Sequence, residues 1–142
     1  MKQLMILAAA AAIGAIASGS IVYAQTSAPE PPKARIAIYR AAPGQQVALL
    51  HWFAQQDRIS QSAGVAPGQL YAHTDGDSWD YLVIDPVTSP AQDAAVDAAA
   101  KKMGMAAGPA RSLELRKYIS IHTDTFTIGP VSAAQYLALA GQ

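Results

Sequence analysis

The chain contains no cysteine. Disulfides, thiolate-bound metals, iron–sulfur clusters and lipidation at an N-terminal cysteine are thereby excluded, so stability has to come from packing and association. A net charge is also missing, with ten Lys and Arg against ten Asp and Glu. The adjacent basic pairs are Lys101-Lys102 and Arg116-Lys117, and both fall in helical patterns that read as solvated faces. Phosphate backbones are held by clustered cations, so a nucleic-acid partner is not expected. No glycine-rich phosphate loop, nucleophile elbow or HExxH pattern occurs, which leaves nucleotide hydrolysis, serine hydrolysis and zinc proteolysis without support. Asp75-Gly76-Asp77 with Asp80 lacks the spacing and the later Glu of a calcium loop, so no metal is expected there. A hairpin tip explains it.

What is present starts at the N-terminus. Lys2 opens the chain, residues 4–17 form an alanine-rich apolar run, and Val22-Tyr23-Ala24 offers the small side chains that signal peptidase needs. Residues 1–24 therefore read as a cleaved signal peptide, with the mature chain starting at Gln25. Without a twin arginine the general secretory route is expected, and the protein is placed in the periplasm or outside the cell, with no stable membrane anchor after cleavage. Cleavage leaves 118 of the 142 residues, enough for one small domain. Residues 25–33, with Pro29, Pro31 and Pro32, read as a linker. Residues 34–142 read as a single α+β domain.

Within that domain the elements follow in order. Residues 35–41 (RIAIYRA) alternate with the period of a strand. Pro43 is expected to open a helix running to about Ala63, where Gly64 stops it. Residues 69–74 (QLYAHT) and 79–85 (WDYLVID) flank Asp75-Gly76-Asp77 as a β-hairpin. Ser89-Pro90-Ala91-Gln92 is a capping box that launches an alanine-rich helix ending at Gly104, with Asp97 and Lys101 paired one turn apart on its surface. A helical piece over 109–121 leads to a strand over 124–128, and Ser132 to Gln135 caps a terminal helix.

This order predicts a ferredoxin-like α+β fold, a four-stranded antiparallel sheet with helices on one face. Through RIAIYRAAPGQQVALLHWFAQQD, QLYAHTDGDSWDYLVID and HTDTFTIGP, taken as an order of elements, the chain resembles the dimeric α+β barrel superfamily of EthD-like, NIPSNAP-like and antibiotic-biosynthesis-monooxygenase-like proteins. The resemblance implies a homodimer whose two sheets face each other and enclose pockets. The helical piece over 109–121 departs from that pattern.

Strand alternation sorts the side chains into two faces. Ile36, Ile38, Leu70, Ala72, Leu82 and Ile84 are expected to pack on the helices. Tyr39, Tyr71, His73, Trp79, Tyr81 and Val83 are expected on the opposite face, covered by a second copy. Tyr39, Tyr71, His73, Trp79 and Tyr81 would then line an aromatic pocket for a small apolar or aromatic ligand, or else fill the interface as core.

Of the three histidines, His51 lies on the polar stripe of the first helix and is expected in solvent. His73 sits among the aromatics. His122 precedes Asp124 at an expected helix-to-strand junction, where an imidazole beside a carboxylate suits either a general base or a strand entrance. The expected function is an exported, small-molecule-binding homodimer. Two alternatives stand beside it: a cofactor-independent oxygenase or isomerase using His73 or His122, with Asp124 as the orienting carboxylate, and an assembly protein with a solid core. No cofactor is expected. Haem, which some members of the superfamily degrade through a histidine ligand, enters as a conjecture because no motif picks out a histidine for it.

Overall fold

The structure is a computed structural model that describes residues 30–76 and 78–142. The expected signal peptide, most of the expected linker and Asp77 of the hairpin tip lie outside the described residues. The elements run β1 (Lys33–Ala41), α1 (Gln46–Ser62), β2 (Gln69–Ala72), β3 (Tyr81–Pro86), α2 (Pro90–Lys102), α3 (Pro109–Leu115), β4 (Ile119–Ile128) and α4 (Ala133–Leu139). The four strands form one antiparallel sheet in the order β2-β3-β1-β4, the ferredoxin-like α+β arrangement. Among the described residues no helix is long and apolar enough to cross a membrane.

Local chemistry accounts for most of the boundaries. Ser89 and Gln92 close a reciprocal capping box at the start of α2, the Ser89 N–H donating to the Gln92 Oε1 at 2.9 Å and the Gln92 N–H to the Ser89 Oγ at 3.3 Å. Ser132 and Gln135 repeat it at α4. Gly64, with φ of 71°, turns the chain just past α1, a conformation that favours glycine. Pro43 differs from expectation. It lies in the turn before the helix, and α1 begins three residues later, at Gln46.

The larger correction concerns 109–121. The helical pattern there holds only to Leu115, and a tight turn brings the chain into β4 at Ile119. His122 is therefore a residue within a strand, paired opposite Tyr39, and the strand is ten residues long. Pairing along all of β1 explains this, because strand hydrogen bonds with a long central partner outweigh the helical propensity of a few residues.

On β1 and β3 the two faces are also the reverse of the expected ones. Ala37, Tyr39, Ala41, Tyr81 and Val83 are buried under Leu49, Trp52 and Phe53 of α1 and Leu115 of α3. Ile36, Ile38, Leu82 and Ile84 share the other side, with Tyr71 opposite Leu82. On β2 the expected phase holds, with Leu70 and Ala72 opposite Val83 and Tyr81 on the helix side. The alanines at 37 and 41 let α1 come close, and aromatic rings fill what remains. Phe53 meets Tyr39 and Tyr81 edge-on at centroid distances of 5.0 and 5.9 Å. A second cluster, Ile59 and Val65 with Val96, Ala99 and Ala100, fixes α2 against the far end of α1. Asp97 turns away from the expected Lys101 pair and binds Arg111 and the Gly108 N–H, tying α2 to the start of α3.

Candidate functional site

Antiparallel register builds a polar floor on the covered side of the sheet. Arg35 stands directly opposite Asp85, so the guanidinium meets that carboxylate at 2.6 Å without any further device. Its other terminal nitrogen lies 3.9 Å from Asp124 on β4. Asp124 in turn holds the Nε2 of His122 at 2.9 Å. The imidazole stacks on Tyr39, its cross-strand partner, with centroids 4.8 Å apart and planes 15° from parallel.

Above this floor the helices do not close, and a cavity of about 340 Å³ remains. Trp52, Phe53, Gln56, Asp57 and Ser60 of α1 form one wall, and Gly108, Arg111, Ser112 and Leu115 the other. Gly68, just before β2, borders it where a Cβ would lie 2.4 Å from an Asp85 oxygen and 2.8 Å from Val83. Only a residue without a side chain permits that approach.

Burial raises the ionisation of Tyr39 to about 12, with Arg35 pulling the other way. Burial, and then the like charge of Asp85, also hold the Asp57 carboxyl above its ordinary value. For Arg35 burial works against the charge, but the hydrogen bond and charge of Asp85 more than offset it. The indole N–H of Trp52 and the Nε of Arg111 are buried without a partner.

The residues singled out from the sequence divide among four places. Tyr39, His122 and Asp124 line the cavity. Tyr81 lies in the core beneath Phe53, its hydroxyl donating to the Gln46 carbonyl at 3.4 Å. His73 and Trp79 pack together at the hairpin end, 4.9 Å between ring centroids, in a separate shallow hollow with Arg40 and Asp80. Tyr71 is 50% exposed on the open face. The five aromatic and imidazole side chains thus do not converge on one pocket. His51 is exposed, as its place on the polar stripe predicts.

Sequence reasoning missed Arg35, Trp52, Asp57, Asp85 and Arg111. A usable signal existed in the strands: Arg35 and Asp85 share the alternation phase of Tyr39 and Val83, so once the phase is right they belong to the same wall.

Neither candidate histidine fits a haem iron. The Nε2 of His122 is engaged by Asp124 and its ring lies against Tyr39, while the Nε2 of His73 is buried beneath its own loop.

No family profile and no curated protein matches the sequence. Among solved structures, the chain is similar to PA3566 from Pseudomonas aeruginosa, at 17% identity and a TM-score of 0.46, over 72% of this chain and 97% of that one. It is also similar to a NIPSNAP domain protein from Burkholderia xenovorans, at 13% identity and a TM-score of 0.42, over 70% of this chain and 95% of that one.

Proposed function

We propose that this chain is an exported small-molecule-binding protein that works as a homodimer, with its ligand held between the sheet and helices α1 and α3. The observation that carries this reading is the cavity, whose volume of about 340 Å³ falls in the range of small-ligand sites, roughly 300 to 1,000 Å³. Its make-up suits the role. Trp52, Phe53 and Leu115 supply apolar area, and a few convergent polar groups, Arg35, Asp57, Asp85, His122 and Asp124, supply orientation. Export rests on the signal-peptide pattern of residues 1–24. The dimer rests on the open sheet face, where Ile36, Ile38, Leu82 and Ile84 make an apolar stripe flanked by Tyr71, with the exposed Ile121 at the β4 edge. A second copy presenting the same stripe covers it with two-fold symmetry.

Native mass spectrometry of the protein recovered from the periplasm of its own cells tests the reading. A dimer mass with an added small-molecule mass, on a chain beginning at Gln25, is the expected result. An intact Met1 form in the membrane fraction refutes export, and a bare monomer refutes the rest.

A second reading is favoured by one contact. The hydrogen bond from His122 to Asp124 orients an imidazole at the cavity wall as a general base is oriented. Under that reading the bound ligand is turned over, and His122→Gln abolishes turnover while leaving ligand affinity within about a few fold.

A further inference from the structure

The charges around the cavity are unequally matched. Arg35 is taken up by Asp85, and Arg111 by Asp97. Asp124 is bonded to His122. Asp57 alone among these carboxylates forms no hydrogen bond or ion pair with any described residue, and it sits half-buried on α1 beside Asp85, one turn along from Trp52 and Phe53. A carboxylate partly removed from water with no donor is costly, so the site is incomplete as it stands. Beside it, Trp52, a residue only 9% exposed, lends apolar area to the same cavity wall.

We propose, resting on the small-molecule reading above, that the ligand is an organic cation, an amine or amidine with an aromatic body. The cationic head donates to Asp57 and Asp85, and the body lies against Trp52 and Phe53. Each alternative occupant fares worse. An anion finds both arginines already paired and meets the carboxylates of Asp57, Asp85 and Asp124, which repel it. A purely apolar ligand buries Asp57 further and leaves it without a donor. A metal ion is not served, because no three His, Asp or Glu side chains among the described residues are grouped to hold one. A cation over aromatic faces gains from the ring quadrupoles as well as from the carboxylates.

Titration calorimetry of the exported protein with three matched probes tests the inference: tyramine, the neutral tyrosol, and the anion 3-(4-hydroxyphenyl)propionate. Tyramine should bind about tenfold or more tighter than tyrosol, with the anion weakest. Asp57→Asn, which keeps shape and removes charge, should bring tyramine down to the affinity of tyrosol. Equal binding of the three, a preference for the anion, or an unchanged tyramine preference in Asp57→Asn overturns the cation inference and leaves the small-molecule site standing. Binding of none of the three overturns both.

Discussion

Tyr39 lies under α1 and is 3% exposed, whereas Ile38, the preceding residue of the same strand, faces away from the helices and is 37% exposed. Along β1 and β3 this contrast repeats. The covered side alternates alanine with large aromatics and carries Arg35 and Asp85 at its end, while the open side is uniformly aliphatic in the centre. Apolar content does not decide which side the helices take. Shape does: a face with small residues at 37 and 41 admits a helix bearing Leu49, Trp52 and Phe53, and the same face leaves a gap where the charged residues begin. The covered side therefore holds both the core and the proposed site, and the open side carries the proposed association surface.

Four measurements probe that division. On the covered side, Leu49 is fully buried, so Leu49→Ala should cost about 2 to 5 kcal/mol of stability by removing contacts and leaving a void. Denaturant titration reads it directly. An effect under about 1 kcal/mol would mean that α1 is not the lid of the core.

On the open side, Ile38→Asp places a charge in the centre of the proposed interface and should weaken the dimer by about a hundredfold or more. Because Ile38 lies away from the helices, the monomer should stay folded. Sedimentation velocity and circular dichroism separate the two effects. A dimer that survives the substitution shows that copies meet elsewhere.

The covered face should also set an alkaline limit. Tyr39 ionises near 12 in the folded protein against 10 when free. The folded state keeps the phenol proton longer, so the stability tied to it is complete below pH 10 and disappears as pH rises from 10 to 12. The loss should amount to roughly 2 to 3 kcal/mol. Tyr39→Phe should flatten the stability profile over that interval, and an unchanged slope would place the alkaline limit elsewhere.

The smallest expected change is at Gly68. A methyl group there crowds Asp85 and Val83, and Gly68→Ala should cost about 1 to 3 kcal/mol while narrowing the cavity mouth. Ligand affinity should fall more than stability does. An affinity equal to that of the parent would put the ligand away from the Asp85 end.

Much of the architecture was legible beforehand, because its signals are local. The Ser89 and Ser132 capping boxes, Gly64 and the alternation in 35–41 each act over a few residues, and they located the elements to within a turn, apart from the 109–121 piece. The orientation of the sheet was not legible. Period-two alternation says which residues stand together but not which set is covered, and here both sets are apolar. The misread phase separated Tyr39 from Phe53 and hid Arg35 and Asp85 from the site. The start of β4 was missed for a related reason, since residues 119–123 commit to a strand only through pairing with β1, a partner some 80 residues away in the chain. His122 and Asp124 were noticed as neighbours in sequence, but the Tyr39 ring that stacks on the imidazole could be found only from that pairing.

The position of β1 has a consequence for how the molecule comes into being. Among the described strands it is the first made and an inner one in the sheet, and one of its two partners, β4, is the last, with Lys33 opposite Ile128. Nearly the whole described chain must be synthesised before that seam can close, and contacts so distant in sequence make folding slow. A nascent chain emerging from the ribosome can assemble α1 or the β2–β3 hairpin locally, yet it holds no finished sheet until β4, Ile119–Ile128, is free to pair.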